Sequence, residues 1–349
     1  MQYICRIMKI KVYTGFLALV TVAVTSCSST QPGEEKKGDS TSSASSVKVV
    51  QPWQKPLDSA LYDKLNMALA NGDTTGKWPA KTVYPLPGAI LPFNRVVAYY
   101  GNLYSKKMGI LGELPKNEML AKLKAECEKW QSADSSIPVI PALHYVSITA
   151  QGAPGKDGKY RLRMPHAQID TIVKWANEIN GLAFVDVQVA QSNLQTEVPS
   201  LEPYMMMPNV HLGIDPEFSM KNGERPGTVI GTFNADDINY TIDYLAGIVK
   251  KNNLPPKILV IHRFTQGMVR MYQNIKKVPE VQVVIDMDGW GDKILKKSSY
   301  ILYVYREPVQ YTGFKLFYKN DIKKGGQAQF YSPEELLQFT PKPIYIQYQ

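Results

Sequence analysis

Short apolar runs that stop abruptly at ionisable side chains constrain this chain more than any other feature. The run Val210-His-Leu-Gly-Ile-Asp-Pro-Glu217 reads as a buried strand that ends in two carboxylates flanking a proline. Pro216 has no N–H to give to a sheet, so strand pairing must end there. Phe184-Val-Asp-Val-Gln188, Leu259-Val-Ile-His-Arg263 and Val284-Ile-Asp-Met-Asp288 repeat the pattern. Residues at the C-terminal ends of strands face the substrate mouth of a parallel barrel, and four such runs carry that signature. In an extended chain Asp215 and Glu217 share one face, roughly 6.6 Å apart at their Cα atoms.

The rest of the chain alternates in the same way. Strands are expected at 96–100, 138–146, 182–189, 210–218, 258–262, 281–286, 314–318 and 344–348, and helices at 57–70, 115–130, 168–179, 236–250 and 294–305. Leu57, Leu61, Leu65 and Leu69 give the first helix its apolar stripe, and Asn71-Gly72 ends it. The helix at 236–250 has acids in its first turn and lysines in its last, as the helix dipole favours. Eight strand–helix units within residues 90–349 match a (β/α)8 TIM-type barrel, for which about 250 residues is typical. A doubly wound open sheet is the rival, but neither a dinucleotide glycine fingerprint nor a Walker pattern is present.

The N-terminus reads as an address. Lys9 and Lys11 precede an apolar run at 12–24, which stops at Thr25-Ser26-Cys27. This is the order of a secretory signal, too short for a bilayer span of about 20 residues. The cysteine after small residues resembles a bacterial lipobox of the Bacteroidota type, which implies lipid on Cys27 and a membrane as partner. The expected place is the outer membrane, facing the periplasm or the cell surface. Residues 28–52 are rich in Ser, Thr and charge with little to bury, the composition of a disordered tether. Residues 53–89 then form an N-terminal helical extension to the barrel at 90–349.

Charge and cysteine usage narrow the partners. The formal charge is +9, and losing Arg6, Lys9 and Lys11 with the signal leaves +6. Such a balance suits anionic glycans or lipopolysaccharide, whereas the scattered lysines form no nucleic-acid face. Cys127 falls at helical spacing with Met119, Leu123 and Trp130 and reads as a small apolar packing residue.

The candidate rim, strand by strand, is Tyr99 or Tyr100, His144, Asp186 with Gln188, Asp215 with Glu217, His262 or Arg263, Asp286 with Asp288, Lys315 and Tyr348. Glycoside hydrolysis needs one carboxyl group with a raised pKa and a second carboxylate as base, nucleophile or charge stabiliser. Glu217 is the expected acid and Asp215 its electrostatic partner, with Asp186 and Asp286 as base, nucleophile or ligands. Tyr99, Tyr100, His144, Gln188, His262, Arg263, Lys315 and Tyr348 are the expected substrate-binding set. No cofactor is required by this scheme, although Asp186, Glu217 and Asp286 offer oxygens to one hard divalent cation, with His262 as base or ligand. A metal-assisted hydrolase is therefore an alternative, as is a non-catalytic glycan binder using Tyr104 and Trp290 as further stacking faces. His211 lies nearer the barrel floor and reads as structural.

The Asp-x-Glu at 215–217 resembles the acid motif of chitinase-like and lysozyme-like barrel glycosidases, with Gly213 where chitinases carry another Asp. From about residue 88 the chain resembles a family of bacterial lipoproteins and secreted proteins with a barrel-like domain. The likeness rests on Ala98-Tyr-Tyr-Gly101, Ile140-Pro-Ala-Leu-His144, Asp186-Val-Gln188, His211-Leu-Gly-Ile-Asp-Pro-Glu217, Leu259-Val-Ile-His-Arg-Phe264, Gly313-Phe-Lys-Leu-Phe317 and Tyr345-Ile-Gln-Tyr-Gln349. It implies a barrel-like fold and an extracytoplasmic address, and brings no reaction with it.

Overall fold

The structure, a computed structural model, describes residues 55–321 and 330–349, so the signal, Cys27 and the tether lie outside the described residues. Eight strands form the barrel: β1 (Arg95–Gly101), β2 (Val139–Ala150), β3 (Leu182–Val187), β4 (Val210–Ile214), β5 (Lys257–Arg263), β6 (Val281–Met287), β7 (Tyr311–Leu316) and β8 (Tyr345–Tyr348). Each pairs in parallel with the next, and β1 pairs with both β2 and β8, which closes the ring. The (β/α)8 barrel is thus the fold, and the open sheet is excluded.

The main helices are α1 (Ser59–Ala70), α2 (Lys116–Ala133), α3 (His166–Glu178), α4 (Ala235–Asn252) and α5 (Lys293–Tyr300). Their ends follow local chemistry. Asp58 caps α1 by accepting from the Leu61 N–H, and Asn71 closes it in the left-handed conformation. Asn234 and Asp237 form a reciprocal capping box on α4, and Lys250 and Lys251 occupy its last turn. The expected helix at 294–305 divides into α5 and a π-helical turn, Ile301–Tyr305. Between β5 and β6 the described residues hold two short 3-10 turns, Gln266–Met268 and Tyr272–Asn274, and a two-residue strand, Val269–Arg270, so that unit lacks a full covering helix.

Alternation along the strands builds two cores. Val97, Leu143, Val185, Leu212, Leu259 and Phe314 face outward and meet the helices. Val96, Ala98, Ala142, Phe184, Val260, Val284 and Tyr345 face inward and fill the barrel. The same parity, carried up the strands, makes the next inward positions Tyr100, His144, Asp186, His262, Asp286 and Lys315. The apolar filling therefore gives way to polar groups at the C-terminal end.

The segment before β1 closes the opposite end. Leu69 of α1 and Leu91 join the inner apolar cluster. The Gln282 side chain accepts from the Ile90 and Leu91 N–H groups at 3.1 Å, and the Lys342 N–H donates to the Leu69 carbonyl at 2.8 Å. Residues from α1 onward accordingly share one compact unit with the barrel. Leu91 is fully buried. Leu91→Ala should lower unfolding free energy by about 2–5 kcal/mol, the usual cost of such a core truncation, read from urea denaturation midpoints.

Candidate active site

The strand ends converge on a buried carboxylate. Asp186, at the penultimate position of β3, is completely buried. Its Oδ2 accepts from the Tyr100 hydroxyl at 3.1 Å and stands 3.3 Å from His262 Nε2, while Oδ1 stands 3.6 Å from His144 Nε2. Burial alone would raise its pKa, but His262 and His144 hold it well below the ordinary carboxylate range. For His262, burial would depress the imidazole, yet Asp186 and Asp288 raise it well above its ordinary value. Burial pushes His144 down to about 4, against the pull of Asp186. His144 is stacked on Phe184 at 5.1 Å, and its Nδ1 shares a 2.6 Å hydrogen bond with the Tyr345 hydroxyl.

Two glycines make room for this cluster. A Cβ on Gly213 would stand 2.4 Å from Asp186 Oδ1 and 2.5 Å from His144 Nε2. One on Gly313 would stand 2.6 Å from Asp286 Oδ1. The barrel can hold Asp186, His144 and Asp286 beside His262 at this depth because β4 and β7 contribute no side chain there. This also explains why the extra Asp of the chitinase pattern is missing at 213: it would occupy the space of Asp186.

Above this layer lie Asp215, Glu217, Asp288 and Lys315. The chain does not continue extended through the acids, as the strand pattern implied. β4 ends at Ile214, Asp215 caps a 3-10 turn at Pro216–Phe218, and its Oδ1 accepts the Glu217 N–H at 3.0 Å. Pro216 opens that turn, in which Glu217 is half-buried while Asp215 stays buried. Gln188 donates to Asp215 Oδ2 at 3.1 Å. Burial, reinforced by Asp215 and Asp288, pushes Glu217 up to about 8. Burial likewise takes Asp215 to about 7, with His262 opposing and Asp288 and Asp186 adding to the rise. Asp288 behaves oppositely: Lys315 at 2.9 Å and His262 at 3.2 Å overcome its burial and hold it ionised. Lys315 Nζ also sits 3.7 Å over the Tyr100 ring. Asp286 is buried deeper, and burial raises it despite His262 at 3.5 Å.

Of the expected residues, Tyr100, His144, Asp186, Gln188, Asp215, Glu217, His262, Asp286, Asp288 and Lys315 are therefore brought together. Three are not. Tyr99 points outward, bonding the Tyr318 hydroxyl at 3.0 Å, and Tyr348 also points outward to receive the Trp130 indole N–H at 3.0 Å. Arg263 turns away from the mouth, donating to the carbonyls of Thr265, Gln266, Val269 and Tyr303 and to Glu307. All three have the wrong parity, since their neighbours Tyr100, Gln347 and His262 take the inward positions. Tyr345 and Gln347 were not anticipated. Gln347 donates to the Tyr345 hydroxyl at 2.8 Å, and strict alternation along Tyr345-Ile-Gln-Tyr348 was the signal for both. His211 is structural, with Nδ1 accepting the Ile258 N–H at 3.0 Å, and His166 is the exposed first residue of α3. Cys127 packs beside the outer core, and burial raises its thiol to about 12, which keeps it inert. Two surface grooves, of about 530 and 560 Å³, lie against α2 and α3, the second lined in part by Cys127, and neither includes a residue of the barrel mouth.

No protein-family model matches the chain, and no curated protein matches it. Solved structures are similar in fold. One is a hyperthermophilic endo-beta-1,4-glucanase in complex with substrate, at 8% identity and a TM-score of 0.34, covering 64% of this chain and 81% of that one. A trimodular GH5_4 subfamily endoglucanase has 9% identity and a TM-score of 0.41, covering 84% of this chain and 57% of that one. The YdhT protein from Bacillus subtilis has 14% identity and a TM-score of 0.40, covering 86% and 88%. Likeness of this degree carries no argument about activity, which has to come from the site itself.

The glycine contacts give a paired expectation. Gly213→Ala should destabilise the fold by about 1–3 kcal/mol, the cost of overpacking a filled core. Gly247→Ala on α4, where a Cβ meets nothing within 4 Å, should be neutral or stabilising by up to about 1 kcal/mol. Thermal and urea melts of the two variants measure both signs.

Proposed function

We propose that the chain is a glycoside hydrolase acting on a cell-envelope or dietary glycan, with Glu217 as general acid. The observation that carries this reading is the unlike setting of two carboxyl groups at one barrel mouth: Asp288 meets Lys315 at 2.9 Å and His262 at 3.2 Å, whereas Glu217 is half-buried next to Asp215. Glu217 is raised to about 8, while Asp288 is held below its ordinary range by Lys315 and His262. A protonated acid beside an ionised carboxylate is what cleavage of a glycosidic bond requires. Glu217 is half-buried and so within reach of a bound sugar, whereas Asp186 and Asp286 are completely buried. Those two act through their neighbours, as does Asp215, whose carboxylate fixes the Glu217 backbone. Asp288 is then the better base or nucleophile, with 9% of its side chain exposed.

Sugar rings bind well against aromatic faces, and Trp290 and Tyr104 are exposed just beyond β6 and β1. The net positive charge suits an acidic glycan. The lipobox-like segment ending at Cys27 supports an anchored protein at the outer membrane, and labelling with a radioactive fatty acid, lost in Cys27→Ser, would test that address.

Glu217→Gln should reduce turnover on a panel of envelope and plant polysaccharides by about 10²–10⁴-fold, the usual range for a lost general acid. Activity unchanged in that variant would overturn the role, and glycan binding with no turnover by wild type would favour a non-catalytic binder. Because the acid works in its protonated form, wild-type rate should fall as pH rises through about 8. Groups facing Glu217 are Asp215, Asp288, Lys315 and His262.

A stability effect follows from the same shift. A carboxyl raised from 4.5 to about 8 favours the fold fully below its unfolded value, and that contribution is lost as pH rises through 8. Glu217→Gln should therefore melt about 2–4 °C above wild type at pH 9, for each kcal/mol relieved, and close to wild type at pH 4. Calorimetry at the two pH values gives the comparison.

A further inference from the structure

We propose that His144, Asp186 and His262 form a binding site for one divalent transition-metal ion beneath the carboxylates of the mouth. One donor atom from each residue can be chosen so that all lie within 4.8 Å of one another. Both imidazoles present Nε2 to the same carboxylate, His144 at 3.6 Å from Oδ1 and His262 at 3.3 Å from Oδ2. Two ligands at about 2.1 Å from a shared tetrahedral ion lie about 3.4 Å apart, and His262 Nε2 stands at that spacing from Oδ2 while His144 Nε2 is slightly farther from Oδ1.

The hydrogen bonding points the same way. All three side chains are completely buried, yet His144 Nε2, His262 Nε2 and Asp186 Oδ1 have no hydrogen-bond partner among the described residues. Buried polar atoms are almost always satisfied, and three orphans converging on one point call for a ligand. Of the far nitrogens, one is hydrogen-bonded and the other faces carboxylates without a hydrogen bond among the described residues. His144 Nδ1 bonds the Tyr345 hydroxyl, and His262 Nδ1 faces Asp288 at 3.2 Å and Asp286 at 3.5 Å. Carboxylates and hydroxyls behind the imidazole are how proteins orient a metal-binding histidine. Gly213 leaves one side of the triad free of any side chain. Two imidazoles and one carboxylate favour Zn²⁺, Mn²⁺, Fe²⁺ or Co²⁺ over Mg²⁺ or Ca²⁺, which prefer all-oxygen sets. This set differs from the oxygen cluster of Asp186, Glu217 and Asp286 that the sequence pattern offered.

The test uses the full chain, stripped with chelator and then dialysed against ZnCl₂, MnCl₂ or CoCl₂. Elemental analysis should find one equivalent per chain of at least one of these metals, and its binding isotherm should weaken by at least about tenfold in Asp186→Asn and in His262→Asn. His166→Ala, which changes the exposed histidine, should bind like wild type. No stoichiometric uptake of any of the three, or equal affinity in the Asp186 and His262 variants, would overturn the site. Should those variants fail to fold, wild type with Co²⁺ decides. Visible bands of a nitrogen- and oxygen-ligated ion are expected, and a spectrum matching aqueous cobalt would sink the proposal. Metal content is the readout, so the outcome stands apart from whether any glycan is cleaved.

Discussion

The mouth of this barrel depends on keeping one carboxylate charged where water does not reach. Asp186 carries that charge, held by the Tyr100 hydroxyl and by imidazoles on either side. A bare buried carboxylate would neutralise itself by taking a proton, so its partners decide its state. Once Asp186 is ionised, further negative charge nearby becomes harder to accommodate. Asp288 remains ionised because Lys315 reaches it, and Asp215 and Glu217 are left to share the protons. The order of protonation around the rim thus follows from one deep group and the reach of one lysine.

Such a layer is poor packing for a protein core. Beneath it, Val96, Ala98, Val260 and Val284 fill the barrel as an ordinary apolar interior. The upper layer instead holds acids of like charge whose oxygens, in Asp286, lack partners among the described residues. Regions of this kind are where proteins concentrate function at the expense of stability. The surrounding structure keeps them in place by interactions that never touch the mouth. Arg263 ties the end of β5 to Glu307 and four carbonyls, and the buried Lys296–Asp321 pair at 2.6 Å joins α5 to the segment after β7.

The barrel was legible because apolar runs and helical stripes alternate with regular spacing, and every expected strand is present. Helix ends were legible where a turn signal or a charge gradient marked them, as at Asn71-Gly72 and Lys250, whereas the Asp58 cap lay inside the helix expected from residue 57. The inward or outward sense of adjacent polar residues was harder. Tyr99 with Tyr100 and His262 with Arg263 are each two usable side chains in a row, and only the phase of the strand separates them. Extending the apolar alternation by one residue would have chosen Tyr100, His262 and Gln347 over Tyr99, Arg263 and Tyr348. The 3-10 turn after Ile214 was hidden for another reason. Pro216 announces that pairing stops, but says nothing of whether Asp215 will bend back to cap its own chain.

Gly213 ties the history of this site together. No other residue fits there while Asp186 and His144 keep their positions, because the β-carbon would fall on both. Three positions on three strands are therefore sterically coupled, so that a side chain at 213 is accommodated without strain only if Asp186 or His144 changes. A lineage moving between this arrangement and one with an acid at 213 would have to pass through an intermediate that has given up Asp186 or His144. Barrels that look alike in outline can be separated by that kind of step, and the separation is written in a residue that has no side chain.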